Sequence, residues 1–110
     1  MGLSNFLSTI LSPSESQPEI TKDDLKNYVI IDVRSPMEFM EGHIDNAINI
    51  PHTEIGDRIT KAVKAQDKPI LLYCRSGARS GAALGVLRQK GYTAAVNGGG
   101  IDSVRRLIGR

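Results

Sequence analysis

The chain has 110 residues, of which 40% are hydrophobic and 24% are charged, and its formal net charge at pH 7 is +2. This length fits one compact domain, and the composition is typical of a globular protein rather than of a disordered or fibrous chain. The small net charge does not indicate a nucleic-acid partner, and the single cysteine, Cys74, excludes an internal disulfide. We expect no metal and no cofactor, because His43 and His52 have no cluster of further ligands around them.

Residues 1–18 are predicted to be an N-terminal segment and linker that precedes a domain at 19–110. Residues 1–11 carry apolar side chains at helical spacing, and 12–18 form a polar stretch bounded by proline. No basic residue precedes the short apolar run, no secretory cleavage site follows it, and no run reaches the ~20 apolar residues of a membrane span. We therefore expect a cytoplasmic protein. Because no Lys or Arg lies on the polar face of this apolar pattern, a helix that packs on the domain or a frayed tail is favoured over a segment that binds a membrane surface or a partner.

From residue 19 onwards, short apolar runs alternate with helical patterns. Strands are predicted at 28–33, 47–50, 69–73 and 93–96, and helices at 21–27, 35–42, 53–65, between Cys74 and Gly91, and at 101–108. The clearest helix start is Ser35, followed by Pro36 and, three residues after the serine, Glu38. Strands alternating with helices in this way predict an α/β fold with a mainly parallel sheet and helices on both faces.

Cys74 follows the most apolar of these strands and opens the sequence Cys-Arg-Ser-Gly-Ala-Arg-Ser. Ligands of parallel sheets bind at the carboxyl ends of the strands, where this cysteine lies. Backbone N–H groups of the loop, the N-terminus of the next helix and the charges of Arg75 and Arg79 all favour a thiolate. Gly77 suits a loop that needs positive φ or a close backbone approach. These features together favour a nucleophile over a buried structural cysteine.

Residues 74–80 resemble the active-site loop of the rhodanese family. Two further stretches support the resemblance: Asp-Val-Arg-Ser-Pro-Met-Glu-Phe with Gly-His-Ile-Asp-Asn-Ala-Ile-Asn-Ile-Pro at 32–51, and Asn-Gly-Gly-Gly at 97–100. The similarity spans residues 19–110. The family often has a tryptophan after its paired glycines, whereas Val104 stands there in this chain, which has no tryptophan.

The resemblance implies a five-stranded, mainly parallel, rhodanese-like sheet and a double-displacement sulfur transfer. Cys74 would take the outer sulfur of thiosulfate or a related anionic donor, and would pass it from a persulfide to cyanide, a thiol or a protein cysteine. By position, Arg75 and Arg79 would hold the donor. The backbone amides of residues 75–79, which include Ser76, Gly77 and Ala78, would surround the persulfide.

Two other functions use similar loops. In cysteine phosphatases and arsenate reductases, one residue more lies between the cysteine and the arginine than in this chain, where four residues separate Cys74 from Arg79. The longer loop of those enzymes is wide enough for a tetrahedral anion. They also need an acid for the leaving group, and no acid is evident near this loop. A non-catalytic binding module is the second alternative, and the retained Cys74, Arg75 and Arg79 disfavour it. A persulfide carrier that serves a protein cysteine remains open, because it would use the same loop.

The remaining polar residues near the strand ends are interpreted as structural. Arg34 is expected in an ion pair, for instance with Glu38, rather than as support for the loop. His43 is expected to be a hydrogen-bonded structural residue, because thiolate chemistry needs no base. No role is assigned to His52. Tyr73 is expected in the core, and Gly98–Gly100 are expected to form a tight turn into the last helix.

Overall fold

The computed structural model describes residues 20–109. The predicted N-terminal segment and linker at 1–18, including its apolar helical pattern, lie outside the described residues. Within the described residues, no helix is long and apolar enough to span a membrane.

Residues 20–109 form one four-stranded parallel sheet in the order β2-β1-β3-β4. The strands are β1 (Val29–Asp32), β2 (Ile48–Asn49), β3 (Ile70–Cys74) and β4 (Ala95–Gly100). The helices are a 3₁₀-helix (Asp24–Asn27), α1 (Pro36–Glu41), α2 (Ile55–Ala62), α3 (Ala78–Gln89) and α4 (Ile101–Ile108). The α/β class, the parallel sheet and the order of the elements confirm the prediction from the sequence.

The strand number differs from the five that the family resemblance implied. The hydrophobic pattern alone indicates four strands, and each of the four strands of residues 20–109 overlaps one of those segments. Between these strands the chain consists of helices and the short turns that join them. The described part of the chain therefore leaves no segment for a fifth strand.

Side chains of β3 alternate between two cores, one on each face of the sheet. Ile70, Leu72 and Cys74 belong to the core that contains the buried side chains of α2 and α3. Leu71 and Tyr73 belong to the core that contains the 3₁₀-helix and α4. All five residues of β3 are buried, because helices cover both faces of this central strand. The sheet thus holds the backbone of Cys74 rigidly from both sides.

Helix starts follow the capping signals in the sequence. The Ser35 side chain accepts a hydrogen bond from the Glu38 backbone N–H, and the Glu38 carboxylate accepts one from the Ser35 backbone N–H, which completes a capping box. Helix α1 then ends at Gly42 as predicted. Thr21 and Asp24 exchange the same pair of bonds before the 3₁₀-helix.

The predicted tight turn at Gly98–Gly100 is wrong, since these glycines complete β4 and α4 starts directly at Ile101. These positions require glycine because there is no room for a side chain. A Cβ on Gly98 would lie 2.6 Å from Leu71 Cδ2, and one on Gly100 would lie 2.5 Å from the Arg75 carbonyl oxygen. The glycines allow β4 to run close beside β3 and the loop that follows it. They therefore shape the surroundings of Cys74 without forming a turn.

Candidate active site

Cys74 is the last residue of β3 and lies at the carboxyl edge of the sheet. Residues 75–77 form a short loop, and α3 begins at Ala78. Gly77 precedes the helix with φ of 101°, a left-handed conformation that glycine adopts without the steric cost of a side chain. This turn brings the N-terminus of α3 back over the end of its own preceding strand. The loop predicted from the sequence is therefore present at the predicted place.

Three hydrogen-bond donors converge on the Cys74 sulfur. The Gly77 backbone N–H donates to Sγ at 2.9 Å, the Ser80 backbone N–H at 3.4 Å, and the Ser80 hydroxyl lies 3.5 Å away. Ser80 is the third residue of α3, so its N–H has no partner within the helix and the sulfur takes the place of a capping oxygen. The sulfur thus occupies the anion-binding position at the start of a helix.

These donors change the acidity of the thiol. Burial of Cys74, whose exposed fraction is 0%, would by itself raise its pKa. Hydrogen bonds from the Ser80 hydroxyl and from the backbone N–H groups of Ser80, Gly77 and Ser76 outweigh burial and lower the pKa to about 7. A substantial fraction of Cys74 is therefore a thiolate at neutral pH, and no base is needed to produce it.

The two predicted donor-binding arginines differ in their surroundings. Arg75 is exposed at the mouth of the loop, and within residues 20–109 it is in no ion pair. Arg79 makes two parallel bonds to the Glu38 carboxylate, at 2.8 and 3.0 Å. Chiefly because of the hydrogen bond from Arg79, the pKa of Glu38 is lowered to about 2. Arg79 therefore faces α1 rather than standing free, and its predicted contact with a donor remains a prediction.

Arg34 is in an ion pair, but the predicted partner Glu38 is wrong. Its guanidinium binds the Asp32 carboxylate at 2.7 and 3.0 Å and donates to the Gly42 carbonyl oxygen at 2.7 Å. Asp32 lies two residues before Arg34 and is fully buried, so it takes the nearest cation, whereas Glu38 is closer to Arg79. Arg34 therefore connects Asp32, at the end of β1, to Gly42, at the end of α1.

Other residues singled out from the sequence have structural contacts. His43 Nδ1 lies 2.8 Å from the Phe39 carbonyl oxygen, and its ring stacks on the Phe39 ring, so a hydrogen-bonded His43 is confirmed. Tyr73 is fully buried as predicted, and its hydroxyl accepts a hydrogen bond from the Ile44 N–H. His52, to which no role was assigned, donates its backbone N–H to the Val33 carbonyl oxygen. Among residues 20–109, no three His, Cys, Asp or Glu side chains lie together as a metal site would require.

Sequence reasoning missed two residues of the site, Ser80 and Asn97. The Ser80 hydroxyl lies 2.7 Å from Asn97 Oδ1, and Asn97 Nδ2 donates to the Gly77 carbonyl oxygen at 3.1 Å. Ser80 is the last residue of the loop motif, and its position three residues after Gly77 indicates a helix-start donor. Asn97 stands in the Asn-Gly-Gly-Gly motif, but no local pattern indicates that it contacts the loop, because it lies on a different strand, β4.

Comparison with known proteins places this loop in a family. The family model described as a rhodanese-like domain matches residues 17–106. The chain belongs to the rhodanese-like domain family. The family assignment agrees with the resemblance of the three sequence motifs and with the thiolate site at the end of β3.

Several relatives of this rhodanese-like protein are sulfurtransferases. It is 39% identical over 74 residues to the thiosulfate sulfurtransferase PspE of Escherichia coli (strain K12), which covers 67% of this chain and 71% of that protein. It is 38% identical over 74 residues to a sulfurtransferase of Allochromatium vinosum, covering 67% of each chain.

Solved structures show the same fold. A rhodanese with anions from E. coli matches with a TM-score of 0.67 at 38% identity, covering 69% of this chain and 89% of that one. The human single-domain sulfurtransferase TSTD1 matches with a TM-score of 0.63 at 26% identity, covering 74% of this chain and 83% of that one. The rhodanese-like α/β fold is thus shown both by the elements of the chain and by these neighbours.

Proposed function

We propose that the protein is a sulfurtransferase in which Cys74 carries sulfane sulfur as a persulfide. The observation that carries the proposal is the set of donors on Cys74 Sγ, which lowers its pKa to about 7 at the end of a rigid strand. A nucleophile held in this way attacks sulfur without an accompanying base. The PspE relative, whose name specifies thiosulfate, supports thiosulfate or a related donor as the substrate.

In the first half-reaction, the Cys74 thiolate attacks the outer sulfur of thiosulfate. A bond forms between Sγ and that sulfur, the S–S bond of thiosulfate breaks, and sulfite leaves with the electron pair. In the second half-reaction, cyanide or a thiolate attacks the outer sulfur of the persulfide. The new bond forms on the acceptor, and the electron pair of the broken bond returns to Cys74. Thiocyanate, or a new persulfide, is the product, and no external oxidant or reductant is needed.

The chain's own residues have distinct tasks in this scheme. Gly77 and Ser80 stabilise the thiolate through their backbone N–H groups, and the same loop would face the terminal sulfur of the persulfide. Arg75, exposed at the mouth of the loop, is the cation that an anionic donor meets first. Because Cys74 is fully covered in the structure, the atoms that cover its sulfur have to move aside when a donor enters.

The geometry disfavours the phosphatase alternative. A phosphatase loop aims its arginine at an oxyanion in the centre of the loop, whereas Arg79 is held by Glu38 on α1. The backbone donors of this loop point at Sγ itself, at 2.9 and 3.4 Å, and so they suit a sulfur anion. These contacts favour sulfur transfer over phosphoryl transfer.

The test is production of thiocyanate from thiosulfate and cyanide by the purified protein. We expect turnover by the wild type and none by Cys74→Ser, which replaces the sulfur with a hydroxyl of much higher pKa in a position with the same hydrogen bonds. Thermal unfolding of both proteins serves as the control for folding. A folded Cys74→Ser variant with full turnover would exclude the persulfide mechanism.

A further inference from the structure

The Ser80 hydroxyl has one proton and three acceptors around it. Its oxygen lies 2.7 Å from Asn97 Oδ1, 3.1 Å from the Gly77 carbonyl oxygen and 3.5 Å from Cys74 Sγ. A serine hydroxyl donates only one hydrogen bond, so these three acceptors compete for it. The outcome of that competition determines whether the hydroxyl stabilises the sulfur.

The Gly77 carbonyl oxygen is already occupied. It accepts the Gly81 backbone N–H at 2.9 Å and Asn97 Nδ2 at 3.1 Å. A carbonyl oxygen has two lone pairs, and these two donors fill them. The choice of the Ser80 hydroxyl is therefore between Asn97 Oδ1 and Cys74 Sγ.

The backbone determines the orientation of the Asn97 amide. The Gly99 N–H, which can only donate, points to Oδ1 at 2.9 Å, and the Gly77 carbonyl oxygen, which can only accept, faces Nδ2. Oδ1 thus has one lone pair left, and 2.7 Å is the usual length of an O–H···O hydrogen bond. A neutral thiol sulfur is a weak acceptor at 3.5 Å, so the hydroxyl donates to Asn97 when Cys74 is protonated.

A thiolate reverses this preference, because a hydrogen bond to an ionised acceptor is roughly twice as strong as one between neutral groups. We propose that Asn97 is a positioning residue that holds the Ser80 hydroxyl while Cys74 is neutral and releases it to Sγ when the sulfur carries negative charge. No polar atom is left unpaired by the exchange, since Asn97 Oδ1 keeps the Gly99 N–H. The Ser80 hydroxyl can thus donate to either acceptor, and neither position leaves a polar atom without a hydrogen-bond partner.

This exchange would follow the charge of the sulfur during catalysis, and this part of the inference rests on the proposed function. In the thiolate, Sγ is the anion and receives the hydroxyl. In the persulfide, the charge lies on the outer sulfur, so Sγ is neutral and the hydroxyl returns to Asn97. When the acceptor removes the outer sulfur, the thiolate reforms and the hydroxyl stabilises the leaving Sγ.

Replacing Asn97 does not change the charged groups that influence the pKa of Cys74. Arg79 on α3 is the charged group whose pKa responds to Cys74. On β1, the Asp32 carboxylate is bound by Arg34, and the residues of β4, Ala95–Gly100, have no titratable side chain. Replacing Asn97 by alanine therefore leaves every charge around Cys74 in place.

The experiment measures the pKa of Cys74 in four proteins: wild type, Ser80→Ala, Asn97→Ala and the double variant. The pH dependence of alkylation by iodoacetamide, scored by intact mass, reports the thiolate of the single cysteine without any sulfur donor. Failure of this test is therefore distinguishable from failure of the sulfurtransferase proposal. We expect Ser80→Ala to raise the pKa by about one unit. We expect Asn97→Ala to lower it by up to about half a unit, because the hydroxyl loses its acceptor at 2.7 Å and keeps as competitor only the Gly77 carbonyl oxygen at 3.1 Å, which Nδ2 no longer occupies. In the Ser80→Ala background, Asn97→Ala should have no effect.

A rise in the pKa of Cys74 on Asn97→Ala, or an equal shift with and without Ser80, would overturn the proposal, because Asn97 would then act only by ordering the loop. Thermal unfolding checks that each variant is folded. If Asn97→Ala does not fold, Asn97→Asp decides the question, since it keeps an acceptor for the Gly99 N–H. Its added charge raises the pKa of Cys74, and we expect a larger rise with Ser80 present than with Ser80→Ala. Equal rises would overturn the proposal.

Discussion

Replacing Gly100 by alanine places a methyl group against the backbone of the loop that follows Cys74. Gly100 is paired with Cys74 between β3 and β4, and its φ of −85° and ψ of 160° are ordinary for alanine. The substitution therefore causes no backbone strain at this position. The new Cβ would lie 2.5 Å from the Arg75 carbonyl oxygen and 3.2 Å from the Arg75 carbonyl carbon. Both atoms are backbone and directly follow the nucleophile.

The size of the effect follows from this distance. Carbon–oxygen contacts in proteins are normally about 3.3–3.6 Å, so the carbonyl group of Arg75 has to move by about 1 Å. Overpacking of this kind costs about 1–3 kcal/mol of unfolding free energy. A displacement of about 1 Å at the reacting group lowers the rate by about 100-fold. We expect Gly100→Ala to lose sulfur transfer to this extent while remaining folded.

Gly85→Ala is the matched control, because a Cβ on Gly85 meets no atom within 4 Å. Gly85 lies on the exposed side of α3, where alanine should raise the unfolding free energy by about 0.5–1 kcal/mol and leave activity unchanged. Thiocyanate production and urea unfolding of the two variants provide the comparison. Wild-type activity and stability in Gly100→Ala would refute the claim that β4 and the loop are in essential contact.

Three further results are expected. Alkylation of Cys74 should rise with pH with a midpoint near pH 7, and a midpoint near pH 9 would contradict the hydrogen bonding of the sulfur. Because folding lowers the pKa of Cys74 from 9 to about 7, the wild type should gain stability over Cys74→Ala as the pH rises from 7 to 9, and it should lose that gain as the pH falls through 7. Arg34→Ala leaves the buried Asp32 carboxylate without its partner and should cost about 3–5 kcal/mol in urea unfolding, whereas a loss below about 1 kcal/mol would show that the pair is dispensable. Arg79→Ala removes a partly exposed pair with Glu38 and should change stability by less than about 1 kcal/mol while raising KM for thiosulfate; unfolding of the variant would mark Arg79 as structural.

The fold was largely predictable because its signals are local. β-branched runs between turn residues indicated the four strands, and Ser35 with Glu38 indicated the start of α1. The strand ends were less accurate: the last strand was predicted to stop at Val96, but β4 continues through Gly100. Glycine weakens a strand by propensity, and only the close approach of β3 and the loop explains its presence there.

The site was predictable only in part. Cys74 and its loop are contiguous in sequence, so the position of Cys74 and the Gly77 backbone donor followed from order alone, whereas the Ser80 donor was missed. The partners of the polar side chains depend on which strands and helices are neighbours. Glu38 binds Arg79 across 41 residues, and Asn97 reaches Ser80 across 17, and no pattern within one segment reveals such pairs.

The most direct test of the central claim is the intact mass of the protein after incubation with thiosulfate alone, followed by removal of excess donor. Cys74 is the only cysteine, so one bound sulfur can be assigned to it. We predict a mass gain of one sulfur atom that disappears on addition of cyanide with release of thiocyanate, and no gain in Cys74→Ser. A folded wild-type protein with reduced Cys74 and no sulfur adduct would contradict the account.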